Sequence, residues 1–163
     1  MKCIPMTVLG FIAATLLLFA TAQAPAADKL SDILRESKWD DIIGTWVDAD
    51  TKGDYKVTYA WKLADRVVEV NSKYRGVETV GLMGVNAKNG DVFHMGADSA
   101  GGSSLGKWDI EDNGDAVLSI VFTGGDGEQG SLNIRHHRED KDTVLVTLEL
   151  PEPIKIKLVR AKK

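Results

Sequence analysis

Thr143-Val144-Leu145-Val146-Thr147-Leu148-Glu149-Leu150-Pro151-Glu152-Pro153-Ile154-Lys155-Ile156-Lys157-Leu158-Val159-Arg160 is the stretch that decides the fold. Ahead of the Pro151-Glu152-Pro153 break, Val144, Val146, Leu148 and Leu150 alternate with Leu145, Thr147 and Glu149. Beyond it, Ile154, Ile156, Leu158 and Arg160 alternate with Lys155 and Lys157. A period of two belongs to strands, whose successive side chains point to opposite faces of a sheet. One face is apolar and the other largely polar, as in a sheet with a single buried side. So short a break leaves no room for the crossover of a parallel pair, so the two strands are antiparallel neighbours.

The same rhythm runs back to Gly44. Val68, Val70, Ser72 and Tyr74 oppose Glu69, Asn71 and Lys73; Tyr55, Tyr59 and Trp61 share one face of another run; Leu118, Ile120 and Phe122 share a face with Ala116. Lys88-Asn89-Gly90-Asp91 and Asp112-Asn113-Gly114-Asp115 read as hairpin turns, because Asn-Gly accepts the positive φ that tight hairpins require. Gly124-Gly125-Asp126-Gly127 and Glu139-Asp140-Lys141-Asp142 supply further breaks. The spacing predicts about ten strands with no helix between any two. The predicted fold is all-β, an antiparallel up-and-down β-barrel, since closure removes the exposed edges of a meander.

Upstream the pattern changes. Leu30, Ile33 and Leu34 fall on one helical face, with Lys29, Asp32, Arg35 and Glu36 on the other, so a short helix is expected, capped by Asp28 and stopped by Gly44. Lys2, the apolar run over residues 8–20 and the small residues after it have the make-up of a secretory signal, with Ala20-Thr21-Ala22 and Ala24-Pro25-Ala26 both fitting a cleavage site. The run falls short of the roughly 20 apolar residues of a spanning helix. The expected organisation is a signal peptide over 1–26, a helical lead-in over 27–43 and a barrel over 44–163, in an exported (periplasmic or secreted) protein not held at a membrane once processed. Cys3, the one cysteine, lies inside the signal, which leaves the mature domain to be held by its core rather than by disulfides. About 140 residues suffice for one such core. The formal charge of -4 includes Lys2, and no basic stripe offers itself to nucleic acid.

Ile42-Ile43-Gly44-Thr45-Trp46 opens the first strand. A G-x-W opening after a short helical lead-in resembles the lipocalin and fatty-acid-binding barrels, the calycin-type folds. The resemblance implies that Trp46 closes one end of the barrel, that a basic residue of the last strand packs over it, and that the lead-in caps a barrel mouth. Arg160 stands near the end of the last strand with the inward parity. Tyr59-Ala60-Trp61, Val68-Glu69-Val70, Gly84-Val85-Asn86, Asp98-Ser99-Ala100-Gly101 and Gly106-Lys107-Trp108-Asp109 extend the likeness to a bacterial lipocalin-like barrel family of unknown function. These are barrel motifs and speak for fold rather than activity.

Phosphate-loop, HExxH, CxxC and GxSxG patterns are absent from the sequence. His94 and His136 lie on separate predicted strands with inward parity, as a metal or haem site would require. Their spacing, with His137, fits better one buried, hydrogen-bonded histidine and two near solvent, so neither metal nor cofactor is expected. Most carboxylates sit in turns, where Asp bonds its own backbone, and the acidic loops at 112–115 and 126–128 do not match a calcium loop.

A closed barrel of this size is either filled by side chains or holds one small ligand. Tyr59, Trp61, Ser72, Tyr74, His94 and Trp108 are the interior candidates, apolar bodies with polar tips that suit an amphipathic ligand. Gly81, Gly84, Gly96, Gly101, Gly102 and Gly106 lie in or beside strands, where glycine marks bends, bulges or room beside a ligand. The first expectation is an exported binding protein for a small apolar or amphipathic molecule. A structural or interaction module with a filled barrel ranks second, and an enzyme using His94 with Asp98 or Ser99 third. The volume of the interior separates the first two.

Overall fold

The structure, a computed structural model, describes residues 28–51 and 54–162; the signal expected over 1–26 lies outside the described residues. Ten strands follow one another without an intervening helix among those residues: β1 (Gly44–Asp48), β2 (Tyr55–Leu63), β3 (Val67–Tyr74), β4 (Val77–Val85), β5 (Val92–Asp98), β6 (Ser103–Ile110), β7 (Ala116–Thr123), β8 (Gln129–Asp140), β9 (Thr143–Leu148) and β10 (Ile154–Arg160). Each pairs antiparallel with its neighbours in sequence, and β1 also pairs with β10, so the sheet closes into an up-and-down barrel. The period-two reading of the sequence is thus the fold the chain adopts. The alternation holds in burial: Val57 and Tyr59 are buried on β2, Val144 and Val146 on β9, and Leu158 on β10.

The lead-in forms helix α1 (Leu30–Glu36) and a 3-10 turn over Asp40–Ile42. Two local expectations fail here. Asp28 does not cap the helix: Lys29, with extended backbone, holds the N-cap position and makes no side-chain cap bond, having no acceptor to offer. Nor does Gly44 end the helix. It stops at Glu36, where the Ser37 hydroxyl donates to the Ile33 carbonyl and Lys38 turns the chain at a φ of 62°.

Leu30, Leu34, Trp39 and Ile42 from this segment are buried in the barrel core. The segment is tied to turns at one end of the barrel: Ser31 N–H donates to the Asp65 carbonyl between β2 and β3, and Trp39 Nε1 donates to the Gly114 carbonyl between β6 and β7. Arg138 lies 4.9 Å from the centre of the Trp39 ring and pairs with Asp41 at 3.0 Å. α1 is therefore a plug, and the opposite end, carrying the β3–β4 and β9–β10 hairpins, is the mouth.

The seam between β1 and β10 is held at the plugged end by Trp46 and Arg160. Trp46 is 1% exposed, pairs in register with Arg160 and Val57, and donates from Nε1 to the Ile42 carbonyl at 2.8 Å. The Arg160 guanidinium sits 4.4 Å from the Trp46 ring centre. It donates to the carbonyls of Ile43, Asp41 and Lys141, and from Nε to the Asp142 carboxylate at 3.0 Å. Gly44 makes this possible: it holds a φ of 142°, and a methyl group there would lie 2.6 Å from Arg160 Nη1. The G-x-W element thus supplies the ring and the empty space into which the arginine fits. Trp46→Ala is expected to destabilise the fold by about 3–5 kcal/mol, the usual range for deleting a buried aromatic, measured by urea unfolding; a loss below about 1 kcal/mol would show that the ring does not close the barrel.

Candidate ligand-binding cavity

The inward residues above the plug do not meet across the barrel. They enclose a cavity of about 650 Å³, within the roughly 300–1,000 Å³ common for small-molecule sites. Its wall is mostly aliphatic, with Val57, Val70, Leu118, Ile120, Val146 and Ile156 among the lining side chains. Tyr74, Arg75, Val77 and Ile154 line it toward the mouth. Tyr55 and Tyr74 pack edge to face with ring centres 6.1 Å apart, and Arg75 lies 5.1 Å from the Tyr74 ring centre. Among the described residues Arg75 is the one lining side chain that carries a formal charge at neutral pH, and no carboxylate lines the wall.

At the plugged end Tyr59, Trp108 and His136 form a floor. All three line both the large cavity and a small pocket of about 60 Å³ beneath α1. The Trp108 and His136 rings lie 5.0 Å apart, centre to centre. Burial pushes the Tyr59 phenol up and the His136 imidazole down to about 4, the hydrogen bonds from His136 to the backbone at Ile134 and Ala116 only partly offsetting it. Burial also lowers the pKa of His94. Away from Arg75 at the mouth, the lining therefore carries no formal charge at neutral pH, yet it offers polar atoms. Trp108 Nε1 and His94 Nδ1 are buried without a hydrogen-bond partner.

Five of the six anticipated interior residues, Tyr59, Ser72, Tyr74, His94 and Trp108, line this one cavity. Trp61 does not. It shares their parity through its pairing with Val68, but it stands at the plugged end of β2 where the register shifts, and 37% of it is exposed. The histidines also divide differently from the expectation of two near solvent. His136 is buried in the floor, His94 is half-buried in the wall, and only His137 faces outward, its Nδ1 2.7 Å from Asp115 Oδ1. The Asp98 and Ser99 partners considered for His94 are engaged elsewhere. Asp98 Oδ1 accepts from the amides of Ala100 and Gly102, and Ser99 Oγ accepts from the Glu78 amide.

Three contributors escaped the sequence reading. Trp39, in the lead-in, is one, since an aromatic three residues past a helix end is a natural plug. Thr79 and Ser104 line the cavity and carry the inward parity of Gly81 and Trp108 on their strands, so alternation alone identifies them. Comparisons with protein-family models, curated proteins and solved structures find no match to this chain.

The buried imidazole makes stability depend on pH in a defined direction. His136 titrates lower folded than unfolded, so the neutral ring's contribution is complete above the unfolded value of 6.5 and is lost as pH falls toward 4. Linkage puts the loss at about 3 kcal/mol across that window. Unfolding free energies at pH 7 and pH 4 are expected to differ less in His136→Phe than in the unaltered chain. An unchanged pH dependence in the variant would remove His136 as its source.

Proposed function

We propose that the protein is an exported carrier for a small apolar or amphipathic molecule held inside the barrel. The observation that carries this reading is the 650 Å³ interior, apolar along its wall and supplied with a few converging polar groups. A barrel serving only as a structural module gains nothing from such a void, because unfilled apolar volume destabilises a core. A catalytic role for His94 has less support, since Asp98 and Ser99 bond to loop backbone instead. Arg75 at the mouth favours neutral or anionic molecules over cations. The helix-plugged, G-x-W-sealed barrel agrees with the lipocalin-like likeness proposed from Gly44, Trp46 and Arg160. Export rests on the signal-like residues 1–26.

The neutral dye N-phenyl-1-naphthylamine, which brightens in apolar surroundings, is expected to bind the processed protein with one site per chain. Val70→Trp, which places a large ring in the wall, is expected to weaken binding at least tenfold with the melting temperature little changed. Dye binding that is absent, or indifferent to Val70→Trp, would count against a carrier.

A further inference from the structure

We propose that the cavity receives an uncharged, largely apolar alcohol, whose hydroxyl group docks in a notch beside Gly96 between His94 Nε2 and Ser104 Oγ. This rests on the carrier reading and names the ligand class of that same cavity.

The notch follows from three inward positions. Gly81 pairs in register with Gly96, and Gly96 with Ser104, so the wall formed by β4, β5 and β6 lacks two side chains at one level. The His94 ring lies along the trough this leaves: a methyl group at Gly81 would be 3.0 Å from His94 Cε1. A methyl group at Gly96 would be 3.3 Å from His94 Nε2 and 3.0 Å from Ser104 Oγ. Both polar atoms therefore flank the bare Cα of Gly96, and His94 and Ser104 both line the large cavity, where a ligand oxygen would meet them. Among the described residues neither His94 nor Ser104 makes a side-chain hydrogen bond with the rest of the chain. His94 Nδ1 is buried without a partner, which is rare for a buried polar group, and the Ser104 hydroxyl lines the same cavity without a bond to the chain, so both side chains are free to bond a molecule held there.

The partner's chemistry follows from the charge balance of the wall. A neutral imidazole has one donor and one acceptor nitrogen, and Nε2 takes either role depending on the tautomer. A hydroxyl both donates and accepts, so it fits either tautomer and the serine as well. A carboxylate at the notch would lie in a wall whose only formal charge is Arg75 at the mouth, and an ammonium would find no carboxylate at all. Burying an unpaired charge is far more costly than burying a hydrogen-bonded hydroxyl.

The test is displacement of N-phenyl-1-naphthylamine from the processed protein by four ten-carbon probes: 1-decanol, 1-methoxydecane, decanoate and decylammonium. The alcohol is expected to displace the dye at least about tenfold more effectively than the ether, since a site built around a hydrogen bond discriminates against the group that lacks it. Gly96→Ala, whose methyl group would crowd the Ser104 hydroxyl and the His94 ring edge and lie in ordinary contact with the Val80 carbonyl oxygen, is expected to reduce that preference to within about twofold. Ser104→Ala and His94→Phe should do the same, with circular dichroism confirming that each variant folds. Equal displacement by alcohol and ether in the unaltered protein overturns the proposal, as does a preference that survives both Gly96→Ala and His94→Phe, or decanoate outcompeting decanol. Failure of the dye itself to bind removes the carrier reading and the notch with it, and so differs from a dye that binds without preference for the alcohol.

Discussion

The contact between Arg160 and Trp46 ties together the two ends of a sheet that would otherwise lie open. β1 is only five residues long, and it must hold β10 on one side and β2 on the other. The guanidinium over the indole contributes about 0.5–2 kcal/mol as a cation–π pair. Its larger effect is to gather carbonyls from both sides of the seam: Asp41 and Ile43 ahead of β1, and Lys141 in the β8–β9 turn. Gly44 gives the arginine its space, and the Trp46 indole binds the 3-10 turn through Ile42. One side chain thus joins barrel closure to plug placement, and without closure there is no interior.

Closure and plug together give the cavity its polarity along the barrel axis. The plugged end is aromatic and sealed, with Trp39, Trp46 and the Tyr59–Trp108–His136 floor. The mouth end is lined by Tyr74, Val77 and Ile154, all of them 40% exposed or more, together with Arg75. The outer surface is managed separately, by exposed ion pairs such as Lys62–Glu69, Lys73–Glu78 and Lys157–Glu139 that bridge strands. Such pairs contribute little stability each, on the order of 0–1 kcal/mol. The fold therefore depends on its seam and its plugged end, while the middle of the barrel is left hollow.

Most of the architecture was legible because period two leaves so few choices. Once Val144, Val146 and Leu158 are assigned inward, pairing carries the assignment from strand to strand around the barrel. The same rule brings His94 and His136 to one cavity although 42 positions separate them in the chain. It fails at Trp61, whose parity is inward but which stands beyond the enclosed part of its strand, because parity fixes a face and says nothing about depth along the axis. Helix ends were also misread, since Asp28 lies one residue too early to cap and Ser37 and Lys38 end the helix without glycine. The hollow itself was not legible. Whether inward side chains meet across a barrel depends on its radius and on residues such as Gly81 and Gly96, whose pairing across strands appears only in the register.

The claim beneath all of this is that the first and last strands are hydrogen-bonded neighbours. Nuclear Overhauser contacts in the isotopically labelled, processed protein test it most directly. Cross-strand contacts are expected for Trp46 with Arg160, Val47 with Val159 and Asp48 with Leu158, together with slow amide exchange along β1 and β10. Fast exchange along β1 with no contact to β10, beside intact contacts between the other neighbours, would mean an open sheet and would contradict the enclosed interior.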